Sequence, residues 1–240
     1  MNRKGFLHRI LFLDIETVPL MPEFELLTEK DQLRFENKTS YQRQGKITPA
    51  DFYKKAGIWA EFGKIVCIST AYLKRTETKR HISVQSFYGN NEKQILLDFK
   101  TLLENSFNST AHLLCAHNGK EFDFPFIARR MIINRVQLPE ILNLYGKKPW
   151  EVRHLDTMEL WKFGDYKHYT SLDLLSSVLG IESPKNDLNG SDIRSEYYTN
   201  NHINRIVAYC EKDTLAVAKV YFRLIGESIE DLEVLGRGNL

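Results

Sequence analysis

The stretch ILFLDIETVPL, Ile10–Leu20, decides how this chain is read. Four apolar residues open it, as in a buried strand. Two carboxylates, Asp14 and Glu16, follow two positions apart. On a strand, residues i and i+2 share a face, roughly 7 Å apart, so the acids project together. A carboxylate beside a buried strand is costly unless something pairs with it. A divalent cation is the simplest partner, because hard cations take carboxylate oxygens. The plainer reading is a polar strand end in water, and D-x-E alone favours it.

The chain around this stretch has ordinary globular proportions. Its 240 residues are 42% apolar and 27% charged, enough for one large domain or two small ones with a sizeable core. The formal charge is +2. Contact with nucleic acid would therefore need a local basic patch, not a whole-protein field. Cys67, Cys115 and Cys210 are odd in number, scattered and in apolar contexts, which reads as buried free thiols in a reducing compartment. No C-x-x-C pair suggests zinc. The start, MNRKGFLHRILFLD, is positive like a leader, but its apolar run stops at an acid after four residues, too short for an h-region. No segment approaches 18 apolar residues. The expectation is a cytoplasmic protein without a membrane span.

Beyond Leu20 the elements follow from period and punctuation. Ile10–Ile15 reads as a strand ended by Pro19 and Pro22. Glu23–Lys55 is charged and amide-rich. It reads as a polar insertion, at about 23–57 of a single 1–240 domain, with one or two short helices over the core. Lys64–Leu73 and His81–Gly89 form a hairpin by composition and period-two alternation. Ile95, Leu96, Phe99, Leu102 and Leu103 recur at helical spacing behind a cap at Asn90 or Asn91. Ala111–Asn118 is a short buried strand. FDFPFIARRMIINR opens a helix, with Asp123 able to cap it and Pro125 in its first turn. HLDTMELW gives an extended piece and a helix. SLDLLSSVLG is a short helix ended by Gly180. Asn201–Gly226 is a long helix, and Glu227–Leu240 a helical, fraying tail. Strands come first and helices later, so the fold class is mixed α/β, not strictly alternating.

Two further segments bear on the acids. In the long helix, Tyr209 and Asp213 lie four apart on the apolar stripe of Ile206, Val217 and Val220, so they face the same way. An Asp on a core-facing stripe needs a partner; an Arg or Lys elsewhere is the plainer candidate. In HNGKEFDFPFI, His117–Ile127, a short strand ends at Asn118–Gly119 and Asp123 stands at the next helix start. Alone, that Asp reads as a cap.

Together, LDIET, HNGKEFDFPF and YCEKD resemble, in order, the three motifs of the DEDD 3′–5′ exonucleases. Tyr209, four before Asp213, resembles the tyrosine subclass (DEDDy); the histidine subclass has His five before the last acid, where this chain has Ala208. AEFGKIVCIS, HLDTMELW and SLDLLSSVLG are also similar to the exonuclease domain of B-family DNA polymerases, and to a bacterial group of stand-alone exonucleases related to it. The resemblance covers roughly Ile10 to Arg223 and leaves the insertion unexplained.

It implies a ribonuclease H-like fold, a central mixed sheet of about five strands flanked by helices. Ile10–Ile15 would be central, hairpin-paired on one side and parallel to Leu113–His117 on the other. It implies a metal-dependent hydrolase acting at 3′ ends of single-stranded DNA, in repair or end-trimming. Asp14, Glu16, Asp123 and Asp213 would hold two divalent cations, Mg2+ or Mn2+, about 3.5–4 Å apart. Asp14 would bridge them, Glu16 and Asp213 would complete the nucleophile-side ion, and Asp123 would act through water on the other. Tyr209 would orient the attacking water, positioning it and not serving as a full base.

Thr17, Asn118 and Phe122 are substrate-binding candidates, Phe122 by stacking on terminal bases. Lys120, Arg129 and Arg130 are candidates for phosphates, with solvated helix charge as the plainer reading. His117 reads as a satisfied strand-end residue. Asp156 reads as ordering a local helix start or as a supporting group behind the acids. Lys185 and Gly190 resemble a loop of the bacterial group. Three alternatives stay open: an exoribonuclease with the same site, which a contact to the ribose 2′-hydroxyl would mark; a non-catalytic nucleic-acid-binding module, against which the full acid set argues; and a structural protein whose acids are satisfied by basic partners, which predicts no metal-dependent thermal shift.

Overall fold

The acid-bearing strand lies inside the sheet, not at its edge. In the computed structural model, which describes residues 6–74, 80–165, 169–182 and 188–235, β1 (Ile10–Pro19) pairs antiparallel with β2 (Gly63–Lys74). β2 continues the hairpin into β3 (Arg80–Tyr88). On its other side β1 runs parallel to β4 (Leu113–Ala116), which is followed outward by β5 (Leu155–Asp156). β6 (Leu232–Leu235) lies parallel to β3, giving the order β5-β4-β1-β2-β3-β6. The helices are α1 (Glu29–Arg43), α2 (Pro49–Tyr53), α3 (Glu92–Ser106), α4 (Asp123–Ile133), α5 (Thr157–Lys162), α6 (Leu172–Val178), α7 (Ile193–Tyr198) and α8 (Ile203–Leu224).

The period of two along β1 sorts its side chains between two helical layers. Leu11, Leu13 and Ile15 are buried with Ile95, Leu96 and Phe99 of α3 and Phe124, Ile127 and Met131 of α4. Ile10 and Phe12 pack on Val217, Tyr221 and Phe222 of α8. Val18 packs with Ile206, Val207 and Cys210, farther up the same helix. Asp14 and Glu16 belong to this second set by parity, so they point toward α8. Both helical layers are needed because a sheet buried on both faces requires apolar cover on each.

Four features depart from the sequence reading. The sheet has six strands, because Leu232–Leu235 is extended where the tail reads as helical. Arg80 secures this edge through ion pairs to Asp231 at 2.8 Å and Glu227 at 3.2 Å. Within the insertion, α1 runs for 15 residues, longer than the short helix expected, and buries only Phe35 and Thr39. Phe35 anchors it in a separate aromatic cluster with Tyr53, Trp59 and Phe62, ring centroids 5.1, 6.0 and 5.1 Å away. The long helix begins at Ile203, since Asn201 takes a left-handed φ of 54° that breaks it. Asp123 is the first helical residue of α4, not its cap; Phe122 holds the cap position. By contrast Asn91 caps α3 as expected, accepting from the Gln94 N–H. Among the described residues, no helix is long and apolar enough to cross a membrane.

Candidate active site

The site forms where β1 leaves its parallel neighbour. Asp14 pairs with Ser69 and Glu16 with Cys67 across the β1–β2 ladder; the next pair is Thr17 with Ile65. Val66 is therefore an extra residue on β2, a bulge opposite the acids. Bulges bend a strand and re-aim its side chains, and this one falls beside the acidic pair.

β4 ends at Ala116, just past the Phe12–Cys115 pairing. Beyond that end, the Ile15 backbone amide lies close enough to the Asp123 carboxylate to favour its charged form. The loop between β4 and α4 makes this reach possible. Asn118 adopts a left-handed φ of 62°, which Asn tolerates better than most residues. Gly119 packs so closely that a Cβ there would lie 2.4 Å from the Ala116 Cβ, so only glycine fits. Asp156 fastens the same loop. It accepts from the N–H groups of Asn118 at 3.0 Å and Lys120 at 3.1 Å, and also caps α5 through Met158 at 3.0 Å and Glu159 at 3.2 Å. The helix-ordering role read for Asp156 holds, and it extends to the motif loop.

From α8, Tyr209 and Asp213 reach the same place. Both lie on the buried stripe, and the Tyr209 hydroxyl donates to the Asp213 carboxylate. One residue on, the Cys210 thiol approaches Asp14 Oδ2 at 3.5 Å.

Electrostatics tie these groups into one cluster. Burial raises the Asp14 carboxyl well above its usual range, and Asp213, Glu16 and Asp123 raise it further. Burial does the same to Glu16, followed by Asp213, Cys67 and Asp123. Asp123 is pushed to about 8 by burial, with Asp156 and Asp213 adding to it and the Ile15 N–H opposing. Tyr209 is raised by burial, then by Asp213, Glu16 and Asp14, so its phenol is neutral at ordinary pH. Glu16 is only 7% exposed, yet among the described residues it makes no hydrogen bond or ion pair. A buried carboxylate without a donor, beside three other acids, is the arrangement a hard cation relieves. The donor set is all oxygen apart from the adjoining thiol. It fits Mg2+ or Mn2+.

The remaining candidates separate. The Thr17 hydroxyl donates to the Gly57 carbonyl at 2.8 Å, so its proton is committed to the insertion's end. The Asn118 Oδ1 is buried without a hydrogen-bond partner in the structure. Phe122 is half-buried, its ring centroid 5.3 Å from Phe126. Lys120 pairs with Glu159 at 2.6 Å, and Arg129 is exposed. Arg130 does not face solvent or substrate: it is 5% exposed and forks onto Glu92 at 2.8 and 2.5 Å. Its apolar helix face turns it inward, so the phosphate reading fails for it. His117 is satisfied as expected, with Thr157 Oγ1 at 2.9 Å and the Thr170 carbonyl at 2.8 Å on its two ring nitrogens. Gly190 opens a 3-10 turn over Gly190–Asp192; Lys185 lies outside the described residues. Cys210 and Cys67 escaped the sequence reading as site residues. Cys210 adjoins Tyr209 in the motif, and that adjacency was the one available signal.

Known proteins resemble this chain in sequence and in fold. The family described as a predicted 3′-5′ exonuclease related to the exonuclease domain of PolB matches residues 58–230. That span carries Asp123, Tyr209 and Asp213, and begins after Asp14 and Glu16. No curated protein matches the sequence. Among solved structures, the family B DNA polymerase of the hyperthermophilic archaeon Pyrobaculum calidifontis is similar with a TM-score of 0.55 and 11% identity, over 90% of this chain and 24% of the polymerase. The chain thus spans about a quarter of the polymerase's length. At that identity the likeness is one of fold, a ribonuclease H-like mixed sheet with helices on both faces.

Proposed function

The chain belongs to the family of predicted 3′-5′ exonucleases related to the exonuclease domain of PolB, and we propose that it releases nucleotides from the 3′ ends of single-stranded DNA with two divalent cations, Mg2+ or Mn2+. One observation carries this reading: Asp14, Glu16, Asp123 and Asp213, from three separate elements, meet closely enough that their charges, added to burial, disfavour ionisation of the carboxyls. Structural proteins rarely gather four mutually repelling carboxylates, three of them buried.

These four acids are the residues that would hold the ions. Bound there, the ions neutralise the carboxylates and stabilise the attacking and leaving oxygens of an in-line displacement. Asp14 feels all three other acids, as a shared ligand must. Asp123 is aimed by the Ile15 N–H, and the Asp156-pinned loop carries it. Tyr209 is too strongly held in its neutral form to act as a base. Its proton goes to Asp213, which leaves its oxygen lone pairs free to accept from water. It therefore orients the attacking water. Phe122, half-buried at the start of α4, would stack on the terminal base; the Asn118 Oδ1 is buried, so Asn118 would reach a hydroxyl of the terminal nucleotide only by turning outward.

The test is digestion of 5′-labelled single-stranded DNA and RNA with Mg2+ or Mn2+, beside Asp14→Ala. Stepwise shortening from the 3′ end, lost in the variant, is the expected result. Activity surviving in Asp14→Ala would refute the site. Preference for RNA would move the reading to an exoribonuclease, and binding without cleavage would make the protein a binding module.

A further inference from the structure

A sulfur stands at the acidic pole. Cys210 Sγ lies 3.4 Å from the Asp14 carbonyl and 3.5 Å from Asp14 Oδ2. One ligand atom each from Asp14, Glu16 and Cys210 lie within 4.8 Å of one another. A tetrahedral zinc ion, with bonds of about 2.0–2.3 Å, needs ligand atoms about 3.3–3.8 Å apart.

A second observation points the same way. Glu16 is 7% exposed and, among the described residues, has neither a hydrogen bond nor an ion pair. Its carboxylate is available to a ligand. Opposite it in the ladder stands Cys67, which is buried in the same cluster as Cys210. Both thiols are free and buried. Two carboxylates and two sulfurs thus converge at one end of the site.

We propose that Asp14, Glu16 and Cys210, with Cys67 beside them as a further donor, bind a thiophilic divalent cation of the zinc class. Thiolate sulfur selects such ions over Mg2+ and Mn2+, and the order of divalent affinities adds to the preference. Binding releases the thiol proton to solvent. The consequence for catalysis rests on the function proposed above: an ion here withdraws Asp14 and Glu16 from the hard-ion site and blocks it. The binding itself does not depend on that function.

Metal-stripped full-length protein is titrated with Cd2+ alone, reading the thiolate-to-cadmium charge-transfer absorption. The wild type is expected to develop the band at one equivalent and to lose it when Zn2+ is added. Cys115→Ala, which removes the thiol on β4 away from the acids, is expected to keep the band. Cys210→Ala and Cys210→Ser are expected to lose it, with Zn2+ affinity falling on the order of 100-fold. Glu16→Gln retains both thiols and serves if the Cys210 variants do not fold; it is expected to weaken Cd2+ and Zn2+ binding. No band in the wild type overturns the proposal, as does a band that survives in both Cys210 variants or Cd2+ binding unchanged in Glu16→Gln. A Cd2+ band in a protein that never cleaves DNA with Mn2+ would overturn the nuclease reading and leave this site standing.

Discussion

Removing the charge of Asp123 should stabilise the metal-free protein while abolishing its chemistry. Asp123 is 3% exposed, and its carboxyl is pushed from 3.8 to about 8. A carboxyl whose folded pKa lies above its unfolded one binds its proton more tightly in the folded state. Its ionisation therefore costs folding free energy, starting above the unfolded value and reaching its full extent above about pH 8. Four pKa units at 1.36 kcal/mol each put that cost on the order of 5 kcal/mol. For a chain of this size, that is about 10–20 °C in melting temperature. Asp123→Asn removes the charge, and the amide oxygen still accepts the Ile15 N–H. The assay is thermal or urea unfolding of both proteins in EDTA from pH 5 to 9. The expected result is a difference in favour of Asp123→Asn that grows with pH and levels off above about 8. Exposed acids common to both proteins cancel in that difference. Saturating Mn2+ should reverse the order, because only the wild type keeps its full ligand set. A difference independent of pH would refute the reasoning, as would a variant less stable than the wild type at every pH in EDTA.

Arg130→Met should cost about 3–5 kcal/mol, because it strands the buried Glu92 carboxylate. Adding Glu92→Gln, whose carbonyl still accepts the Ile65 N–H that Glu92 takes at 2.7 Å, should recover part of the loss in urea unfolding; a further loss would contradict the pairing argument. His154 is held down at about 4 by burial, with Nδ1 accepting from Leu114 N–H and Nε2 facing the Ile141 carbonyl. A histidine depressed in the folded state gives stability present above its unfolded pKa, near 6.5, and lost as pH falls toward 4, a loss of about 3 kcal/mol. His154→Gln should flatten that limb of the stability curve, and an unchanged slope would assign it to other groups. Tyr209→Phe should lower kcat about 100-fold through a misplaced water while leaving the shape of the pH profile between 6 and 9 intact. A wild-type ionisation that vanishes in the variant would instead make Tyr209 a base.

What was legible in the sequence divides along a physical line. The β1 strand, the pairing of β2 with β3 and the inward stripe of α8 follow from apolar runs and periodicity, which each element expresses alone; the central placement of β1 came only with the resemblance to the exonuclease family. The convergence of Asp14, Glu16, Asp123 and Asp213 was legible only through the three motifs taken together, because each acid alone has an ordinary surface or capping explanation. Features created between elements were hidden. Val66 bulges because of how β2 meets β1, and nothing in KIVCIS marks the extra residue. Arg130 reads as one more helix charge until Glu92 arrives from α3. LEVL, at Leu232–Leu235, has four residues and half-exposed ends, too little pattern to compete with a helical reading; it becomes a strand because the β3 edge is there to receive it. The same division explains the family match. Residues 58–230 contain two of the four acids and the tyrosine, whereas the D-x-E strand precedes them across an insertion with its own aromatic core. Only the sheet rejoins the two parts, by placing β1 between β2 and β4. A central strand is also the sound place for a ligand pair, since neighbours on both sides fix its register.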